Sequence, residues 1–116
     1  MTITLYGIPN CDTVKKARLW LDSKAVEYIF HDYKKAGADR TQLRAWTNEA
    51  GWEKILNRAG TTFKKLSDAD KEGLDAAKAI RLMLAQPSMI KRPIVEGART
   101  GLLVGFKEAE WEAAFS

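Results

Sequence analysis

In the stretch Tyr6–Ala17, "YGIPNCDTVKKA", one kind of structure gives way to another. Before it, "TITLYG" alternates β-branched and apolar residues and then meets Gly7 and Pro9, the pattern of a short strand running into a loop. From Asp12 the period changes. Val14, Ala17 and Leu21 recur at the i, i+3, i+7 spacing of a buried helix stripe, with Lys15, Lys16, Arg18 and Asp22 on the other sides. The corner between strand and helix carries the only cysteine of the chain, Cys11. Further on, "AVEYIFHDY" sets Val26, Tyr28 and Phe30 against Glu27 and predicts a second strand, which completes a β-α-β unit.

Beyond Gly37 the pattern is helical, with turn breaks at Gly51, Gly60 and around Ser67. Asp39 or Thr41 is placed to cap a helix carrying Leu43, Trp46 and Ala50, and "WEKILNRAG" predicts a shorter helix ending at Gly60. Ser67 or Asp68 opens another, with Leu74, Ala77, Ile80 and Leu84 as its inward stripe and Pro87 as its stop. "RPIVEGARTGLLVGF" predicts a hairpin of Ile94 and Val95, a turn from Gly97 to Gly101, and Leu102 to Val104. "KEAEWEAAF" then closes the chain as a helix with Trp111 and Phe115 facing inward. Strand-helix-strand units close with parallel strands, whereas a tight hairpin is antiparallel, so the expected fold is α/β with a mixed sheet. The middle helices would form an inserted cap at one edge.

The totals narrow the chemistry. At 116 residues the chain is long enough for one domain with its own core. A single cysteine cannot form a disulfide within its chain, and Cys11 with the one histidine, His31, cannot supply the four ligands of a structural zinc site. No loop alternates acidic residues as calcium requires, so no metal is expected. "MTITLYG" has neither a basic leader nor a long apolar run, and no segment is apolar enough for a membrane span. The expected location is the cytoplasm, where a lone thiol stays reduced. The net charge of +4 hints at anionic partners, but no run of roughly five or six like charges marks a nucleic-acid arm. His31 reads as a surface or satisfied histidine, and Trp20, Trp46, Trp52 and Trp111 as packing residues.

Cys11 lies where the first strand's loop turns into a helix. The first N–H groups of a helix lack carbonyl partners and the dipole there favours an anion, such as a thiolate. Cysteines so placed titrate in the range of roughly 3.5 to 7.5. Lys15 and Lys16, in the first turn, oppose the dipole and fit better beside an anion, although lysines pointing into solvent are the plain alternative. A free cysteine is most often a small buried hydrophobe. A loop at the carboxyl end of a strand is instead where α/β sheets bind ligands. Position 14 is valine, so no second cysteine can resolve a mixed disulfide, and the resolving thiol must come from outside; glutathione, being anionic, suits the basic surroundings. In "KRPIVEG", Pro93 is either a plain strand-edge proline or a cis proline that turns Arg92 toward Cys11. Arg58, in "LNRAGTT", is a further candidate for anion binding, or a surface arginine at a helix C-terminus.

Taken in order, "YGIPNCDTVKKA", "LNRAGTTFKKL" and "KRPIVEG" resemble the arsenate reductase (ArsC) family, in particular its YffB-like branch, with the Spx regulators as neighbours. The resemblance covers essentially the whole chain. It implies a thioredoxin-like fold with a mixed four-stranded sheet and an inserted helical subdomain. In that organisation 1–116 is one domain, with the core at about 1–36 and 88–116 and the insertion at about 37–87. It further implies that Cys11 is the nucleophile, that Arg58 and Arg92 bind anions, and that Pro93 is a cis proline. Glutathione, as co-substrate and not a resident cofactor, would meet Asn10, Asp12, Thr13 and Lys15 together with Arg92 and Pro93. The expected activity is glutathione-dependent reduction of a mixed disulfide or similar small oxidised thiol, with no membrane or nucleic-acid partner. Two departures bear on the alternatives. Arsenate-reducing members carry a further arginine in the last hairpin, where this chain has Gly105, with Arg99 several residues too early. Spx members mostly carry a CxxC pair where this chain has Val14, which disfavours a disulfide-switched regulator that binds RNA polymerase.

Overall fold

The computed structural model describes residues 2–115. In chain order it comprises β1 (Thr4–Gly7), α1 (Asp12–Ser23), β2 (Ile29–Asp32), α2 (Tyr33–Ala36), α3 (Arg40–Ala50) and α4 (Trp52–Ile55). There follow α5 (Thr61–Lys64), α6 (Asp68–Lys71), α7 (Ala76–Ala85), a 3-10 turn at Pro87–Met89, β3 (Ile94–Glu96), β4 (Leu103–Val104) and α8 (Glu108–Phe115). Two compact units result, Met1–Ala36 with Arg92–Ser116, and Gly37–Lys91.

The first unit is built on a four-stranded sheet in the order β2-β1-β3-β4. β1 runs parallel to β2 and antiparallel to β3, and β3 is antiparallel to β4, so the sheet is mixed as the hairpin and β-α-β patterns require. Leu5 and Val95, neighbours across β1 and β3, point to the face covered by α1 and α8. There they join Ile3, Val14, Ala17, Leu21, Trp20, Leu103, Trp111 and Ala114 in one buried cluster. Each large apolar side chain so buried contributes about 1.5–3 kcal/mol. Trp111 is 1 % exposed, and its indole N–H donates to the Gly105 carbonyl at 3.1 Å. Phe115, on the last turn, is only half-buried.

β2 begins at Ile29, later than the alternation from Val26 suggests. Val26 and Tyr28 still pack against the core, but from the connection that follows α1. The alternation therefore records which side chains reach the core and not where strand pairing starts. Ile29 is 58 % exposed because β2 is an edge strand.

The second unit is helical. Leu43, Trp46 and Thr47 are the buried residues of α3, and the Thr47 hydroxyl is satisfied by the Leu43 carbonyl at 2.7 Å. Two expectations are corrected here. The helix opening at Trp52 ends at Ile55, not Gly60, because Leu56 turns extended and pairs with Ile90 in an isolated bridge. The segment opening at Ser67 is two helices, because Gly73 takes φ +60 and breaks it. Each half has its own cap: Ser67 accepts from the Asp70 N–H at 3.2 Å, and Asp75 accepts from the Lys78 N–H at 2.8 Å. The buried residues of α7 are consequently Ala79, Ile80 and Met83, whereas Leu74 precedes the helix and Ala77 is exposed.

Candidate active site

Sheet direction decides which residues meet. β1 and β2 are parallel and β3 opposes them, so the ends of β1 and β2 and the start of β3 lie at one end of the sheet. Cys11 follows β1, Tyr33 follows β2, and the Arg92–Pro93 pair precedes β3. The closeness of α1 to β1 is set by Gly7. A Cβ there would lie 2.8 Å from the Val14 side chain, which is fully buried.

Cys11 occupies the N-cap of α1 with extended dihedrals, φ −93 and ψ 124, and its carbonyl accepts the Lys15 N–H at 2.9 Å. The sulfur is partly exposed. Burial acts to raise its pKa, but the Val14 N–H, the Arg92 guanidinium and the Thr13 N–H all favour the thiolate, and the net result lies below the ordinary thiol value. Val14 and Thr13 act through their backbone N–H groups, and Arg92 through both a hydrogen bond and its charge. The foremost of the two N–H groups is that of Val14, the third residue of α1.

Arg92 is half-buried, and its peptide bond to Pro93 is cis. The Pro93 carbonyl accepts the Gly105 N–H at 2.8 Å, which ties the start of β3 to the end of β4. Gly105 itself has φ +75, a backbone conformation that disfavours arginine at that position. Asn10, Asp12, Thr13 and Lys15 are all exposed at the same corner. Arg58 belongs to the second unit, in the turn after Leu56, exposed and with its guanidinium 5.6 Å from the centre of the half-buried Trp52 ring. Among the described residues no group of three or more His, Cys, Asp or Glu side chains could hold a metal ion.

Sequence reasoning missed a cluster centred on β1. Tyr6 meets the ring of its cross-strand neighbour His31 at a tilt, with centroids 4.9 Å apart, and stacks with Tyr33 at 6.1 Å, and its hydroxyl donates to the Glu96 carboxylate. His31, within β2, is thus a packed histidine. The Tyr33 hydroxyl is buried with no hydrogen-bond partner. Burial pushes its pKa far above the ordinary tyrosine value, and Tyr6 and Glu96 add to the rise while Arg92 opposes it. No local pattern announces this cluster, since Tyr6 and Glu96 stand 90 residues apart.

An open groove along β2 is lined by Arg18, Asp22, Tyr28 and Phe30, none of them from the Cys11 corner. Arg18 is already committed there, donating to the Tyr28 hydroxyl at 3.0 Å and lying 4.2 Å from the Phe30 ring centre. The groove is thus separate from the Cys11 corner.

The sheet order, the cis proline and a lone cysteine at the first strand-to-helix corner define a thioredoxin-fold protein with a single thiol. The family model described as "ArsC family" matches residues 6–114, and the chain belongs to that family. It is similar to a solved structure named as a YFFB protein, with 61% identity over 98% of this chain and 99% of that one, at a TM-score of 0.94. An arsenate reductase (ArsC) related protein from Brucella melitensis shows 53% identity over 100% of this chain and 96% of its own, at a TM-score of 0.77. The global transcriptional regulator Spx of Streptococcus pyogenes is 32% identical over 98% of this chain and 85% of the regulator.

Proposed function

We propose that the protein is a cytoplasmic, glutathione-dependent thiol reductase acting on mixed disulfides or similar small oxidised thiols. The observation that carries this is the Cys11 thiol at the N-cap of α1, drawn toward its thiolate by the Val14 and Thr13 N–H groups and by Arg92. The thiolate attacks the glutathione sulfur of a mixed disulfide. A new S–S bond forms to Cys11, the old one breaks, and its electron pair leaves on the substrate sulfur, which takes up a proton. A second glutathione thiolate then attacks the Cys11-linked disulfide, leaving oxidised glutathione and the Cys11 thiolate. Arg92 would hold a carboxylate of glutathione.

Arsenate reduction has support in the arsenate-reductase-related relative, but Gly105 stands where the further arginine is expected and its φ disfavours one. Regulation through RNA polymerase is favoured by the likeness to Spx, and disfavoured by Val14 in place of a second cysteine. One set of measurements separates the three: turnover of a glutathionylated peptide by glutathione, turnover of arsenate, and retention of purified RNA polymerase, each with wild type and Cys11→Ser. Peptide turnover that is lost in Cys11→Ser is the expected result. Arsenate turnover without peptide turnover replaces it with the arsenate reading, and polymerase retention without either turnover replaces it with the regulator.

A further inference from the structure

Trp111, on α8, is 1 % exposed, and its ring packs edge-on with those of Phe106, Trp20 and Phe115, at centroid distances of 4.8, 5.8 and 6.0 Å. Any bicyclic aromatic ring would serve that packing. The indole nitrogen does something more specific, because its N–H donates to the Gly105 carbonyl at 3.1 Å. In the same cluster the Trp20 indole nitrogen is buried without a partner, so burial here does not by itself bring an indole its acceptor. Gly105 commits its other polar group as well, donating its N–H to the Pro93 carbonyl at 2.8 Å. Two hydrogen bonds thus run in series from α8 to the residue beside Arg92.

What they hold is the anchor of a side chain. Pro93 is buried, and Arg92 precedes it at the end of the sheet to which β1 delivers Cys11. The Arg92 guanidinium hydrogen-bonds the Cys11 sulfur, and that bond weakens steeply once its length or angle departs from the ideal. Where the arginine backbone sits therefore matters to the sulfur. We propose that Trp111 is a positioning residue for the Cys11 site: through Gly105 and Pro93, its indole N–H fixes the backbone from which Arg92 reaches the sulfur. This deepens the proposed function and rests on its reading of Cys11 as a thiolate held by Arg92. A second path from Trp111 to Cys11 passes through Trp20, which lies on α1 with Cys11 at its N-cap. The two paths make different predictions.

The probe removes one donor and keeps the ring. Benzothienylalanine in place of Trp111 carries sulfur where the indole has its N–H, so the packing with Trp20, Phe106 and Phe115 is retained. The pH midpoint of Cys11 alkylation by iodoacetamide should rise by about half a unit, a roughly threefold change in the acid dissociation constant, and Trp111→Phe should move it the same way. In an Arg92→Gln background, the benzothienyl replacement should leave the midpoint where Arg92→Gln alone puts it. A midpoint that stays at the wild-type value overturns the proposal, whether or not urea unfolding shows a loss of stability, because the N–H is then merely structural. A rise that persists undiminished in Arg92→Gln also overturns it, since the effect then travels through Trp20 and α1. With a low wild-type midpoint, either result leaves the thiolate reading standing. An ordinary wild-type midpoint overturns that reading and the proposal together.

Discussion

At the scale of single residues, two side chains carry opposite electrostatic strains, and each has a pH signature. Cys11 is held below the ordinary thiol value, mainly against its own burial, by the Val14 and Thr13 N–H groups and by Arg92. Arg92→Gln should therefore move the pH midpoint of iodoacetamide alkylation upward, and an unmoved midpoint would remove Arg92 from the site. Because the folded value is depressed, Cys11 contributes stability that is full above the unfolded thiol value of about 8.5 and is lost as pH falls through the folded value. Tyr33 is the reverse case. Its folded value is raised by burial, so the stability it leaves intact below the unfolded tyrosine value of about 10 is lost as pH rises beyond it. Tyr33→Phe should flatten that alkaline limb in urea unfolding and raise neutral-pH stability by about 1–3 kcal/mol, the cost of an orphaned hydroxyl. Cys11 and Arg92 were legible because each stands beside a local signal, the helix start and Pro93. Tyr33 was not, because a tyrosine after a strand looks the same whether or not its hydroxyl finds a partner.

At the scale of elements, glycines decide how closely pieces approach. Gly7 lets Val14 seat against β1, and a methyl group there would meet the Val14 side chain at 2.8 Å. Gly7→Ala should cost about 1–3 kcal/mol by overpacking, and it should slow Cys11 alkylation at neutral pH as the Val14 N–H is pushed off the sulfur. Gly97, after β3, has φ +92 and would place a Cβ 2.0 Å from the Thr2 carbonyl oxygen. Gly97→Ala should lose more than about 2 kcal/mol in urea unfolding yet keep the alkylation midpoint in the folded protein, since it is remote from the Cys11 corner in both sequence and sheet end. Element types followed from period, and boundaries less so. Leu56 leaves its helix to pair with Ile90, and Gly73 divides what reads as one continuous helix. The first depends on a partner more than thirty residues away, and the second on an αL residue that an apolar stripe does not reveal.

At the scale of the whole molecule, the net charge of +4 and sequence pI near 9.3 favour anionic reagents over neutral ones. Iodoacetate should react with Cys11 faster, relative to iodoacetamide, than it does with a free thiol, and the ratio should fall as salt rises from about 0.01 to about 1 M, where the Debye length shortens roughly from 30 to 3 Å. A ratio independent of salt would assign the preference to Arg92 at contact range and not to the field of the molecule. Local patterns alone determined the element order, the mixed sheet and the cysteine at the first corner, because strand and helix periods, glycine and proline breaks and helix-start electrostatics act over a few residues. What only the tertiary structure decided is which distant groups share a place: Arg92 with Cys11, Glu96 with Tyr6, and Tyr33 with no hydrogen-bond partner at all. Those meetings follow from strand order and direction, β1 between β2 and β3 with β3 reversed, and no stretch of chain contains that information by itself.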